Sequence, residues 1–371
     1  MAKQALMKDG LDKSAIKRIA TSIQQTGYPI DSKAFCRNAA KGLGTLELKQ
    51  RVQHIITVLH HHLPDDYNES AEILFNTKQY WDYGEQHDPL SGFAAWPLID
   101  YSATHGLQHP ETALELLKHL TPLFSAEFAI RAFLIHHHDY TYQQLQQWCD
   151  SDDEHIRRLV SEGTRPRLPW GRRLERYVQS PQPALKLLNK LKDDPSLYVR
   201  RSVANNLNDI SKDNPDKTLR LCKQWLRKPT PEREWIVKHA CRSLIKAGHP
   251  ECLGLLGFNK SPKINVSTVQ LSRTALNMGE SLNFTVTIKS CSRNKQKLVV
   301  DYAVHYIKSN GIPKPKIFKL KTFTLAPDEE ICLSKNLSFK PITTRRYYPG
   351  THSLELFVNG KSYAETEFVV R

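Results

Sequence analysis

The residue types that could do chemistry crowd into one stretch, 153–176, DEHIRRLVSEGTRPRLPWGRRLER. Seven arginines there surround Glu162 and Trp170. Guanidinium groups at that density repel one another unless an anion is expected. Glu162 follows Arg158 by one helical turn, so the two side chains share a face. A carboxylate held among arginines can stabilise positive charge developing on a substrate, or orient and deprotonate a water. The arginines suit phosphates, and an indole in an extended loop suits stacking on an exposed base or sugar. The plainer alternative is a solvated helix end with Glu162 paired to Arg158 and Trp170 packed in its loop.

The positioning elements can be read from periodicity. Ile156, Leu159 and Val160 form the apolar stripe of a helix; Gly163 stops it, and Pro166 and Pro169 hold the following loop extended. Residues 14–25 and 46–63 have the same 3.6-residue period, and no strand-like alternation interrupts 1–260. Residues 76–106 read as an irregular, aromatic-rich connection. From Pro110 an internal repeat emerges in LQQWCDSDDEHIRRLV (145–160), LLNKLKDDPSLYVRRSV (187–203) and LCKQWLRKPTPEREWIVKHA (221–240), with SAEFAIRAFL (125–134) a copy of the second helix alone. The spacing from Ile156 to Val199 to Ile236 falls in the range of HEAT-type repeats, whose helix pairs stack into a solenoid. Its inner face should collect Glu127, Arg158, Glu162, Arg201 and Asp209. Beyond Phe258 the pattern switches to short alternating runs separated by turn signals, seven strands in about 110 residues. That predicts a mainly α chain: an α-α superhelix of HEAT-like repeats over 1–260, then an all-β antiparallel immunoglobulin-like sandwich over 261–371.

Composition sets the class of partner. The 371 residues carry a formal charge of +15 with a pI near 9.4, which favours a polyanion, nucleic acid first. No apolar run is long enough to span a membrane, and residues 1–10 lack a signal-peptide core. The seven scattered cysteines have no metal spacing and read as reduced core thiols. The triplets at 60–62 and 136–138 are poor metal geometry, because adjacent histidines on a helix diverge. Trp148, Trp225 and Trp235 fall at repeat positions and read as core.

A HEAT-like solenoid with SEGTRPRLPWGRRL after an IRRLV helix resembles the bacterial alkylation-repair DNA glycosylases, the AlkC and AlkD group, and the C-terminal Ig-like domain resembles the AlkC branch. The resemblance implies a monofunctional glycosylase without cofactor or metal. It would cut the N-glycosidic bond of cationic alkylated bases in double-stranded DNA, chiefly 3-methyladenine with 3-methylcytosine and 1-methyladenine beside it. It would do so without base flipping, in contrast to most enzymes of base chemistry. Such a base leaves readily, and the sugar turns cationic as in glycoside hydrolysis, so nearby carboxylates suffice and no lysine nucleophile is needed. Glu162 falls at the catalytic carboxylate, with Arg158 where the AlkD type has an aromatic; Glu127, Trp170 and Asp209 carry over beside it. Arg157, Arg158, Arg165, Arg167, Arg172, Arg173 and Arg201 would hold the DNA, with Arg345 and Arg346 a second contact from the Ig-like domain. Read without the resemblance, Glu127 is a macrodipole partner after Ser125 and Asp209 ends its helix in a turn. A monomer acting on nucleoid DNA in the cytoplasm is expected; a non-catalytic nucleic-acid scaffold or adaptor is the alternative.

Overall fold

The computed structural model describes residues 6–85, 87–342 and 345–371. Its chain packs as two compact units, 1–214 and 215–371. The first holds twelve α-helices among the described residues, with short 3-10 turns between some of them: α1 (Lys13–Gln25), α2 (Ser32–Ala40), α3 (Leu48–His60), α4 (Tyr67–Asn76), α5 (Trp96–His105), α6 (Pro110–Leu120), α7 (Ile130–His136), α8 (His138–Trp148), α9 (Glu154–Gly163), α10 (Glu175–Gln179), α11 (Gln182–Leu191) and α12 (Leu197–Ile210). They stack as the repeat predicts. Helix α4 packs on α6 and α5 on α7; α8 packs on α11 and α9 on α12. The repeat markers Ile156 and Val199 are both buried. One expectation fails in part: 76–106 contains the regular helix α5. Trp96, Pro97, Leu98, Ile99, Tyr101 and Ser102 are all buried, so α5 lacks the polar face that makes a helix periodic in sequence.

Two local features shape the region around Glu162. Helix α9 is capped by Asp153, whose side chain accepts from His155 N–H. At its other end a Cβ on Gly163 would lie 2.6 Å from Ile130 Cγ2. Only glycine lets α7 approach α9 that closely, and the approach brings Glu127 and Arg131 to the end of α9.

The second unit opens with α13 (Pro215–Trp225), α14 (Pro231–Ala240), α15 (Arg242–Lys246) and α16 (Pro250–Leu255). Nine strands follow among the described residues: β1 (Ile264–Val266), β2 (Gln270–Leu271), β3 (Ala275–Leu276), β4 (Ser281–Ser290), β5 (Gln296–Ile307), β6 (Pro313–Leu325), β7 (Glu330–Ser338), β8 (Gly350–Val358) and β9 (Lys361–Val370). In one sheet β4 pairs with β1, β2 and β7; the other runs β3-β9-β8-β5-β6. Their facing sides share a core that includes Phe284, Val300, Leu354 and Phe368. The seven expected strands are present, but the first divides into β1 and β2, and β3 adds a pair parallel to β9, so the sandwich is not wholly antiparallel. The cysteine expectation is also too simple: Cys291 and Cys332 are exposed, and Cys36 is half-buried. Trp148 and Trp225 are core, whereas Trp235 is 37% exposed.

Candidate active site

Helix α12 buries a polar stripe. Ser202, Asn206 and Asp209, spaced by four and three, lie on one helical face, and each is buried. This stripe meets the end of α9. Asn206 Nδ2 donates to Ser161 O at 2.7 Å and to Thr164 Oγ1 at 3.0 Å. Ser202 Oγ donates to Glu162 Oε2 at 2.5 Å. Breaking these buried hydrogen bonds would leave their groups desolvated and unpaired, so they hold the two helices in register with Glu162 between them.

Around Glu162 acids and arginines alternate. Arg165 bridges Glu162 Oε1 at 2.5 Å and Asp209 Oδ2 at 2.8 Å. Lys212 takes the other Asp209 oxygen at 2.8 Å. Arg158 Nη1 reaches Glu127 Oε2 and Ser125 Oγ, each at 2.8 Å, while Nη2 stands 3.7 Å from Glu162 Oε1. The Arg158 guanidinium also lies 4.8 Å over the Tyr198 ring. Burial alone would lower the proton affinity of Arg158; Glu127 and Glu162 outweigh it and hold its pKa above the usual arginine value. Arg165 is raised in the same way by Glu162 and Asp209. Behind them Arg131, fully buried, is lowered to about 10 by burial and by Arg165, against the pull of Glu127, Asp209 and Glu162. The three carboxylates therefore sit among charged guanidiniums.

Access differs among the acids. The side chains of Glu162 and Asp209 are 6% and 3% exposed, against 14% for Glu127. Glu162 is thus not the open carboxylate that its place in the sequence suggests. Both of its oxygens are held, and the one with room beside it is Glu127, in the turn before α7.

The loop after α9 is built from inside. Arg131 donates to Gly163 O at 3.0 Å, Arg165 O at 2.8 Å and Arg172 O at 2.6 Å. At the tip Trp170 has φ +64 and is 54% exposed, and its carbonyl accepts from Lys49 Nζ. A bulky residue in left-handed backbone costs energy, and here it ends in an exposed ring. Arg172 and Arg173 are exposed on this loop and Arg201 on α12. Arg157 and Arg165, expected to hold phosphates, are engaged elsewhere. Arg157 makes a bidentate pair with Asp194 and donates to the Ser151 and Asp152 carbonyls, and Arg165 is buried between two acids. Arg167 pairs bidentately with Asp213. In the second unit Arg345 lies over the Tyr306 and Tyr347 rings, while Arg346 is exposed.

Sequence reasoning missed Arg131, Tyr198, Ser202 and Lys49. Ser202 was within reach, since a polar stripe on an otherwise apolar helix is a visible signal. Lys49 was not: it lies 121 residues from Trp170.

Comparison with known proteins bears on the whole chain. The family model described as "Uncharacterised protein YhaZ, C-terminal Ig-like domain" matches residues 265–371. The YhaZ protein of Bacillus subtilis (strain 168) is 36% identical over 325 residues, 88% of each chain. The solved structure of the Pseudomonas fluorescens alkylpurine DNA glycosylase AlkC, bound to DNA containing an abasic site analog, is similar over 99% of this chain and 100% of that one, at 37% identity and a TM-score of 0.91. With its helical repeats and Ig-like sandwich in the same order along the whole length, this chain belongs to the AlkC family, together with YhaZ.

Proposed function

We propose that the protein is a DNA glycosylase that hydrolyses the N-glycosidic bond of cationic alkylated bases in duplex DNA, 3-methyladenine first, then 3-methylcytosine and 1-methyladenine. It leaves an abasic site, does not flip the base, and works as a monomer in the cytoplasm. The observation that carries this reading is the partly open Glu127–Arg158 pair backed by buried Glu162. A cationic purine needs no general acid, so the chain has only to stabilise a sugar that becomes positive and to align a water. Glu127 faces the sugar and the water. Glu162, tied to Arg165 and Ser202, adds negative potential and fixes Arg158; Asp209 fixes Arg165. Trp170 and the exposed arginines 172, 173 and 201 hold the DNA, with Arg346 a further contact. Likeness to a glycosylase solved on abasic-site DNA supports the same reading.

The test is release of 3-methyladenine from alkylated DNA. We expect Glu127→Gln to slow release by roughly a hundredfold or more, as for loss of one preorganised electrostatic contact, with little change in DNA affinity. Unchanged release would remove Glu127 from the mechanism. The competing reading is a non-catalytic DNA-binding scaffold, favoured by the full pairing of Glu162 and Asp209. It predicts salt-sensitive DNA binding with no abasic sites formed on any alkylated substrate.

A further inference from the structure

Tyr198 lies against the site, yet the chemistry proposed above gives it no task. It immediately precedes the repeat marker Val199, as His155 precedes Ile156. One residue is about 100° of helix, so with Val199 buried the Tyr198 ring falls on the flank of α12 that packs against α9. The start of α12 is tied there as well. Ser196 Oγ accepts from Tyr198 N–H at 3.2 Å and donates to Glu154 in the first turn of α9. The ring then meets two residues of α9 spaced by three, which share a helical face. His155 approaches edge-on, with 5.6 Å between centroids and 69° between planes, and the Arg158 guanidinium lies 4.8 Å from the ring centroid. Both contacts are made by the ring and not by the hydroxyl.

What the ring does follows from how Arg158 is held. Its hydrogen bonds to Ser125 and Glu127 both leave from Nη1. Glu162, 3.7 Å from Nη2, attracts the charge without a directed bond. Bonds from one corner leave a planar group free to tilt about that corner. A ring over the face removes this freedom, because its π electrons attract the cation and its bulk excludes water. Such an attraction is strongest where the charges are poorly solvated, and the side chains of Arg158 and Glu127 are only 16% and 14% exposed. The phenol is itself within the field of the cluster: burial first raises its pKa, Arg158 opposes that, and Glu127 and Glu162 add to it. An ordinary surface tyrosine at a helix start covers apolar atoms. This one, 37% exposed, turns a face to the cation that holds Glu127.

We propose that Tyr198 is a positioning residue, whose ring sets the plane of the Arg158 guanidinium and through it the direction of the Glu127 carboxylate. The inference rests on the glycosylase reading above, and its test separates the two. Single-turnover release of 3-methyladenine from alkylated duplex is measured for wild type, Tyr198→Leu and Tyr198→Phe, each also combined with Arg158→Ala. No release by wild type overturns the glycosylase reading, and the role of Tyr198 with it. Given release by wild type, we expect Tyr198→Leu to slow the maximal rate by about tenfold, with the half-saturating DNA concentration and the melting temperature unchanged. Tyr198→Phe, which keeps the ring, should restore the rate. In the Arg158→Ala background Tyr198→Leu should have no further effect, since the interaction it removes is already gone. The role of Tyr198 falls, with the glycosylase reading intact, if Tyr198→Leu releases base as fast as wild type or changes only the half-saturating concentration. It falls equally if Tyr198→Phe is as slow as Tyr198→Leu, or if the full loss persists without Arg158.

Discussion

At the scale of single residues, the carboxylates differ in what holds them. Removing the charge of Glu127 loosens one contact with Arg158, whereas Glu162→Gln leaves Arg165 and Ser202 facing a neutral amide inside the protein. We expect Glu162→Gln to lower both 3-methyladenine release and stability, the latter by about 2–4 kcal/mol in urea unfolding. Glu127→Gln should leave stability nearly unchanged. If Glu162→Gln unfolds like wild type, its ion pairs do not hold α9 to α12. A second residue gives a pH signature. Asp100 accepts from Trp96 Nε1 at 2.7 Å, its other oxygen is buried and unpartnered among the described residues, and burial pushes its pKa up to about 7 despite Trp96 and Lys49. The folded value lies above the unfolded one of 3.8. The folded state therefore binds the proton more tightly, and stability is lost as pH rises between the two values. Asp100→Asn should raise the melting temperature at pH 8, by on the order of 2 kcal/mol of stability, and the gain should vanish toward pH 4. A gain of equal size at both pH values would mean that Asp100 is not carrying a charge cost.

At the scale of elements, two arginines of one helix divide between fold and site. Arg157 and its repeat counterpart Arg200 both reach back to carbonyls of the turn before their own helix. Arg157 adds a pair with buried Asp194. Arg157→Ala should cost about 3 kcal/mol by leaving that carboxylate alone, without altering the salt dependence of DNA binding. The repeat LYVRR over IRR made both arginines visible in the sequence, yet nothing in it separated the clamp from the site residue. That separation depends on where Asp194 and Glu127 arrive in space. In the second unit the β8–β9 hairpin turns through Asn359 and Gly360, both at positive φ, the backbone that two-residue hairpins require. A Cβ on Gly360 would lie 2.1 Å from Gly248 Cα. Gly360→Ala should therefore destabilise the chain by about 3 kcal/mol, through both backbone strain and overpacking, read as a lowered urea midpoint.

At the scale of the whole molecule, a net charge of +15 makes DNA affinity fall with salt, in proportion to the phosphates contacted. Arg172→Ala with Arg173→Ala should reduce the slope of log affinity against log salt by about 1–2. These side chains are exposed on a loop that Arg131 ties down from within. A slope equal to wild type would place the DNA elsewhere. Among the described residues no helix is long and apolar enough to cross a membrane.

Periodicity, turn chemistry and charge are local properties, and they determined much of this protein in advance. They specified the helix pairs, the strand runs from Ile264, the αL turns at Asn359-Gly360 and the arginine-rich loop, because each follows from neighbours a few residues apart. The SEGTRPRLPW stretch carried the family resemblance for the same reason. What tertiary structure alone decided was which charges meet. Glu162 is buried because Ser202 and Arg165 close over it; Glu127 keeps access because α7 ends its approach at Gly163. Arg131 became the support of the loop, and Trp235 a surface residue. Such pairings join positions tens of residues apart, and a charge in a sequence does not announce its partner. The energy that selects one partner over another comes from burial, which exists only once the helices have packed.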